Sequence, residues 1–117
     1  MFSGIQSALS GLQAYSLRTQ ATANNIANLN TEGFKKDKVT LSAQVPQGVS
    51  ATVAKVSTPG DMAPAETGQG ESMVELSNVD LGQEIPALIT DKASFSANIK
   101  SLQTADQMMQ SLLDIKA

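Results

Sequence analysis

Two pairs of carboxylates sit four residues apart, Glu71 with Glu75 and Asp80 with Glu84. On a helix such a pair faces one way and could hold a cation or divide into acid and base. Nothing else in the chain helps them in the usual ways. The 117 residues include no His and no Cys, which removes thiol nucleophiles, disulfides, the common zinc sites and every triad that uses His. Gly68-Gln69-Gly70 is too short for either nucleotide-binding glycine fingerprint. The pairs therefore read as solvated charges. No enzyme, cofactor, metal or small-molecule substrate is expected.

The other chemistry on offer is amide hydrogen bonding. In Ala23-Asn24-Asn25-Ile26-Ala27-Asn28-Leu29-Asn30-Thr31-Glu32-Gly33-Phe34, four asparagines crowd one stretch while Ile26 and Leu29 continue an apolar period. Asparagine disfavours helix because its amide competes for backbone partners. These side chains read as chosen for contact, and the contact predicted is with another helix. Gly33 is placed to end the helix in the left-handed conformation. A polar, solvated last turn is the plain alternative.

The elements that must present these groups are two helices and a middle segment. Residues 3–30 read as a helix: Phe2, Ile5, Leu9 and Leu12, and Ile5, Ala8, Leu12 and Tyr15, step by three and four. Ser16, Thr19, Thr22 and Ala23 thin that inward stripe until Ile26 and Leu29. Ser3 is placed to cap it. Gly4 and Gly11 weaken it by roughly 1 kcal/mol each, so it forms poorly alone. Next, Val39, Leu41, Ala43 and Val45 alternate with polar residues, as do Val49, Ala51 and Val53. With Pro46-Gln47-Gly48 between them they predict a hairpin. Residues 57–70 read as a proline-broken loop, and Met73-Val74-Glu75-Leu76 as one last short strand. Ser77 and Asp80 are spaced as a capping box for a long second helix. There Leu81, Ile85, Leu88, Phe95, Ile99, Leu102, Met109 and Leu113 keep one four-three seam, with Lys92 and Asp106 in its two remaining places. That is a coiled-coil pattern, widened by Ile89, Met108, Leu112 and Ile115. Pro86 predicts a bend or a restart.

Composition agrees with helix-on-helix packing. Aromatics are 3%, so a core rests on aliphatic side chains. A net charge of −3 and a pI of about 4.7 argue against non-specific nucleic-acid binding. No apolar run is long enough for a membrane span. The start, Met-Phe-Ser-Gly-Ile-Gln, lacks a basic region and a continuous apolar one, so no secretory signal is expected. The default compartment is the cytoplasm unless export follows a route without cleavage. Lys35, Lys36 and Lys38 form a basic knot, whereas every charge between Lys55 and Lys92 is acidic. Complementarity between copies of the chain is one reading and a solvated acidic loop is the other.

Ala23-Asn24-Asn25-Ile26-Ala27-Asn28, with Asn30, Thr31, Gly33 and Phe34, resembles the N-terminal signature of the bacterial flagellar axial family of rod, hook and hook-associated proteins. Ser77-Asn78-Val79-Asp80-Leu81 and the run Ser94 to Met109 are similar to that family's C-terminal helix. The short middle is most like a small proximal-rod protein, although Asp61-Met62-Ala63-Pro64 matches the usual acidic segment only loosely. The resemblance implies export through the flagellar type III apparatus without a cleaved signal. It also implies terminal segments that are largely disordered as monomers and form a coiled coil when packed in the tube, and a place in the periplasm-spanning rod of the basal body.

The expected fold is mainly α with a small β region: 1–34 an N-terminal helix with the Asn-rich motif, 35–76 a hairpin and loop, 77–117 a coiled-coil helix, both termini forming one unit. The expected function is a structural rod subunit for flagellum-dependent motility, self-assembling with its own copies and other rod proteins. A soluble coiled-coil adaptor, or an axial paralogue outside the rod, is the alternative. Candidate subunit contacts are Ile5, Leu9, Leu12, Asn24, Asn25, Ile26, Asn28, Thr31, Gly33, Phe34, Asn78, Val79, Asp80, Leu88, Phe95, Asn98, Ile99, Leu102, Met109 and Leu113. Whether the helices pair parallel or antiparallel is left open.

Overall fold

The computed structural model describes residues 2–116; Met1 and Ala117, the outermost residues of the two terminal segments, lie outside the described residues. Helix α1 is Phe2–Ala27, strands β1 Asp37–Ala43 and β2 Val49–Lys55 form one hairpin, β3 Met62–Thr67 and β4 Gly70–Glu75 a second, and helix α2 is Leu81–Lys116. The molecule is long and thin, 80 × 24 × 20 Å. It is mainly helical with a small β middle, as its periodicities predict.

The helices run antiparallel, in layers seven residues apart. Asn25 meets Glu84, Arg18 meets Asp91, and Gly11 lies under Asn98. Gly4 lines a hollow with Ala105 and Met108. The buried face of α1 is its small one, Ala8, Gly11, Ala14, Thr22 and Asn25. Ala8 and Thr22 of the predicted inward stripe are thus buried, and Ile5, Leu12 and Tyr15 are half-buried, but the stripe is corrected at its large members: Phe2 stays 74% exposed and Leu9 50%. Small side chains let the two backbones approach closely, and bulky ones at the same places would hold them apart. A Cβ on Gly11 would sit 2.9 Å from the Asn98 amide.

The seam of α2 is likewise split. Leu88, Phe95, Leu102 and Met109 are half-buried toward α1, while Ile85, Ile99 and Leu113 remain exposed. Lys92 and Asp106 are exposed, and the buried carboxylate is Asp91. An antiparallel neighbour made of small residues meets α2 about one position away from the apolar seam. α2 also outruns α1, so among the described residues its last turns have no helix beside them.

Local boundaries differ from the pattern for identifiable reasons. α1 ends at Ala27 instead of continuing to residue 30. The Asn28 side chain donates to the Asn24 carbonyl at 2.8 Å, and the backbone tightens into three-residue turns, Leu29 to Ile26 and Thr31 to Asn28. Gly33 is left-handed, φ 67°, but ends that turn region and not the helix. Ser3 lies inside the first turn. Asp80, not Ser77, caps α2: its carboxylate accepts the Gly82 N–H at 2.9 Å. α2 passes through Pro86 without a restart.

The first hairpin pairs Val39 with Val53 and Leu41 with Ala51. It lies along α1, its turn held where the Val49 N–H reaches the Ser10 hydroxyl at 3.1 Å. The segment read as a loop is mostly a second hairpin, closed by Gly68-Gln69 with Pro64 opposite Met73. Proline is tolerated there because a two-stranded ribbon leaves each strand one unpaired edge. The predicted last strand is β4, which stops one residue short of Leu76. Glu71 and Glu75 therefore lie on a strand, which dissolves the helical carboxylate pair.

Candidate functional site

The asparagines divide into clamps and surface groups. Asn25 is 1% exposed. Its Nδ2 donates to the Asp37 carbonyl at 2.8 Å and its Oδ1 accepts the Asp37 N–H at 2.8 Å. One amide thus replaces a strand partner for β1, at the place where the chain leaves α1. This corrects the predicted bond to a neighbouring subunit, because a buried amide with both ends satisfied is not available to one. Asn78 acts likewise. Its Oδ1 accepts the Lys36 N–H at 2.7 Å, and its Nδ2 donates to the carbonyls of Val56 at 2.8 Å and Thr58 at 2.9 Å. It joins the base of the first hairpin, and the linker that follows it, to the start of α2, and Val79 beside it is buried. Asn24, Asn28 and Thr31 form a surface chain of contacts, Thr31 to Asn28 at 3.1 Å and Asn28 to Asn24 at 3.3 Å. Asn98 donates to its own helix at Ser94, 3.1 Å. Gly33 is exposed, and Phe34 lies 5.3 Å beneath the Lys55 ammonium. Asp80 is exposed apart from its capping bond.

The apolar candidates gather on the outside of the helix pair. Leu12, Leu17 and Phe95 line an open trough of about 390 Å3 between α1 and α2. Ile5 and Ile26 are half-buried. Along α2 the exposed set is Ile85 at 43%, Ile89 at 65% and Ile99 at 37%, then Leu112 at 55%, Leu113 at 67% and Ile115 at 83% on the overhanging turns. Such residues clustered on two helices form an unfinished surface, whereas single exposed apolar residues need no explanation.

Two ionic features escape a reading of apolar periods. Asp91, 0% exposed, lies 3.1 Å from Arg18 Nε, and its carboxylate oxygens have no hydrogen-bonded partner among the described residues. Burial pushes its carboxyl above the usual range, and the Arg18 charge opposes that. Glu75 moves the other way: the Lys35 ammonium bonded to it, helped by the Gly60 N–H at 3.0 Å, holds its carboxyl below the usual range. The signal for the first was in the sequence. Gly4, Gly11, Arg18 and Asn25 recur every seven residues, as do Glu84, Asp91, Asn98 and Ala105. Among the described residues no cluster of His, Cys, Asp or Glu could hold a metal, and no helix is long and apolar enough to cross a membrane.

This architecture of paired terminal helices matches a known class at both ends. Residues 5–35 fit the family described as flagella basal body rod protein, and residues 71–115 fit the flagellar basal body rod FlgEFG protein C-terminal family. The chain belongs to the flagellar axial family of rod and hook proteins, which are structural and not enzymes. It is 32% identical to the flagellar hook protein FlgE of Borreliella burgdorferi over 79 residues, covering 68% of this chain and 18% of that one. It is 47% identical to the FlgE of Caulobacter vibrioides over 57 residues, 46% of this chain and 10% of that one. It is 35% identical to the flagellar basal-body rod protein FlgG of Bacillus subtilis over 72 residues, 62% of this chain and 27% of that one. The chain thus spans about a quarter or less of the length of these relatives.

Proposed function

We infer that this chain is a structural subunit of the flagellar basal-body rod, self-assembling through its terminal helices into the torque-transmitting axial tube. In this reading residues 1–34 and 77–117 form the inner unit and residues 35–76 project from it. Partners are further copies, other rod proteins and, before assembly, the flagellar export apparatus, which takes the chain without signal cleavage. The observation that carries the reading is the split seam. The helix pair buries small and polar residues, covers Leu88, Phe95, Leu102 and Met109 only in part, and leaves Phe2, Leu9, Ile85, Ile99 and Leu113 exposed, so the fold is complete only beside other helices. The short middle supports a rod position over a hook position.

A tagged chain tests it. It should purify with basal bodies from which the hook has been detached, and cells lacking the chain should lose motility. Recovery in the hook fraction alone would favour the second reading, a hook subunit, to which the matches with hook proteins give weight. Recovery only in the soluble fraction, with motility intact, would favour the adaptor.

A further inference from the structure

The β3–β4 hairpin packs on neither helix and on neither strand of the first hairpin. It is tied to the rest at its base, where Glu75 binds Lys35 and its carbonyl accepts the Gly33 N–H at 2.8 Å; the Leu76 N–H closes the hairpin's own base on the Asp61 carbonyl at 2.7 Å. An isolated two-stranded ribbon is marginal in water. Glu66 and Glu71 are direct cross-strand partners, so both carboxylates point to one face at a Cβ separation of about 5 Å. Like charges so placed repel, and neither has a cation within ion-pair distance among the described residues.

The complementary charges lie elsewhere. Between β1 and the start of α2, floored by α1, is a groove of about 430 Å3 whose rim carries Lys36 and Lys38. Its other basic group and one of its carboxylates are already ion-paired, and Glu84 holds only a neutral amide. Asp37 pairs with Lys55 at 2.9 Å, Arg18 with Asp91, and Glu84 accepts the Asn25 amide at 3.4 Å. Lys36 and Lys38 have no carboxylate within ion-pair distance among the described residues. Two residues apart on extended chain, their Cα atoms are about 7 Å from each other, a spacing flexible lysine stems close easily onto a 5 Å carboxylate pair. Glu71 lies roughly 13 Å along β4 from Glu75 at the base, beyond the reach of the chain's own Lys36 and Lys38.

We propose that the Glu66–Glu71 end of the β3–β4 arm docks in the Lys36–Lys38 groove of a second copy of this chain. The proposal rests on the reading that copies assemble side by side, and adds a contact outside the helices. Docking neutralises the cross-strand repulsion and supports a ribbon that its own chain leaves unsupported. It also gives the lattice a directional, heterologous link, arm to groove, that apolar packing of helices does not specify.

The test uses equal amounts of light and nitrogen-15-labelled full-length chain, treated at low salt with a zero-length carbodiimide that joins carboxylates to amines. Peptides linking Glu66 or Glu71 to Lys36 or Lys38 should appear as mixed-isotope pairs. Lys36→Glu with Lys38→Glu, or Glu66→Lys with Glu71→Lys, should each cut that link about tenfold. Mixing the two variants should restore association through their reversed charges, and about 0.5 M salt should weaken it. Oligomers that form without this link overturn the arm contact and leave helix-driven assembly standing. A wild-type chain that stays monomeric at high concentration, with no mixed-isotope link, overturns both.

Discussion

Removing the Arg18 side chain isolates the polar layer at the centre of the helix pair. Arg18→Met keeps the apolar stem and deletes the charge that faces Asp91 at 3.1 Å. At an effective dielectric of about 20 the attraction across that distance is about 5 kcal/mol, most of it offset by the cost of taking Asp91 out of water. Arg18 is one-third exposed, so solvent screens its side of the pair. The expected loss at neutral pH is about 2–3 kcal/mol, because an unpaired buried carboxylate is left behind. With a urea slope near 1 kcal/mol/M for a chain of this size, the midpoint followed by far-ultraviolet circular dichroism falls by about 2–3 M. The dependence on pH is the sharper test. Asp91 titrates higher when folded than when unfolded, so its protonated form adds stability that is complete below its ordinary value of 3.8 and is lost as pH rises through the folded value. Near pH 3 the carboxyl is neutral, and the Arg18→Met penalty should shrink to well under half. Arg18→Met with Asp91→Asn should recover most of the loss at neutral pH. An equal penalty at both pH values would refute the argument, since it would then be a packing loss unconnected with charge.

Asn25→Ala should cost about 2–3 kcal/mol by orphaning the part-buried N–H and C=O of Asp37, and hydrogen exchange at the Asp37 amide should accelerate. Asn78→Ala removes three bonds that join the base of the first hairpin and the linker after it to the start of α2, and should raise proteolytic cleavage between residues 56 and 61 while helix content is kept. Gly60→Ala would place a Cβ 2.0 Å from the Leu76 carbonyl oxygen; the backbone must shift, and amide protection at Leu76 should fall. Acid should loosen the arm while firming the helix pair. Glu75 titrates lower when folded, so its contribution is present above the ordinary value of 4.5 and is lost as pH falls through the folded one, opposite in sign to Asp91. Residue-resolved exchange at two pH values would show β4 and α2 moving in opposite directions.

The two helices, the first hairpin and the family were legible because each rests on a periodic or local signal: the four-three steps of α2, the alternation around Val39 and Val53, and the asparagine run. The face by which the helices meet was not. Apolar period finds where large side chains line up, and here those residues are half-buried at the edge of the contact or exposed. The inward choice belongs to Ala8, Gly11 and Ala14, whose virtue is absence of bulk, and to Arg18 and Asp91, which a hydrophobic count passes over. The second hairpin was hidden because its strands are short and polar, with Pro64 inside one of them. The asparagines were read as contacts to a neighbouring helix, whereas Asn25 and Asn78 serve contacts distant in sequence within the same chain. A single sequence does not distinguish those from contacts between chains.

The central claim is that the outward apolar residues of α2 are completed by neighbouring copies. Sedimentation velocity of the full chain across a wide concentration range, beside Leu112→Asp with Leu113→Asp, tests it most directly. Both residues lie beyond α1, so the variant should keep its helix content. The account predicts that the wild-type chain grows into larger species and that the variant remains monomeric. A wild-type chain that stays monomeric throughout, sedimenting as the variant does, would contradict it.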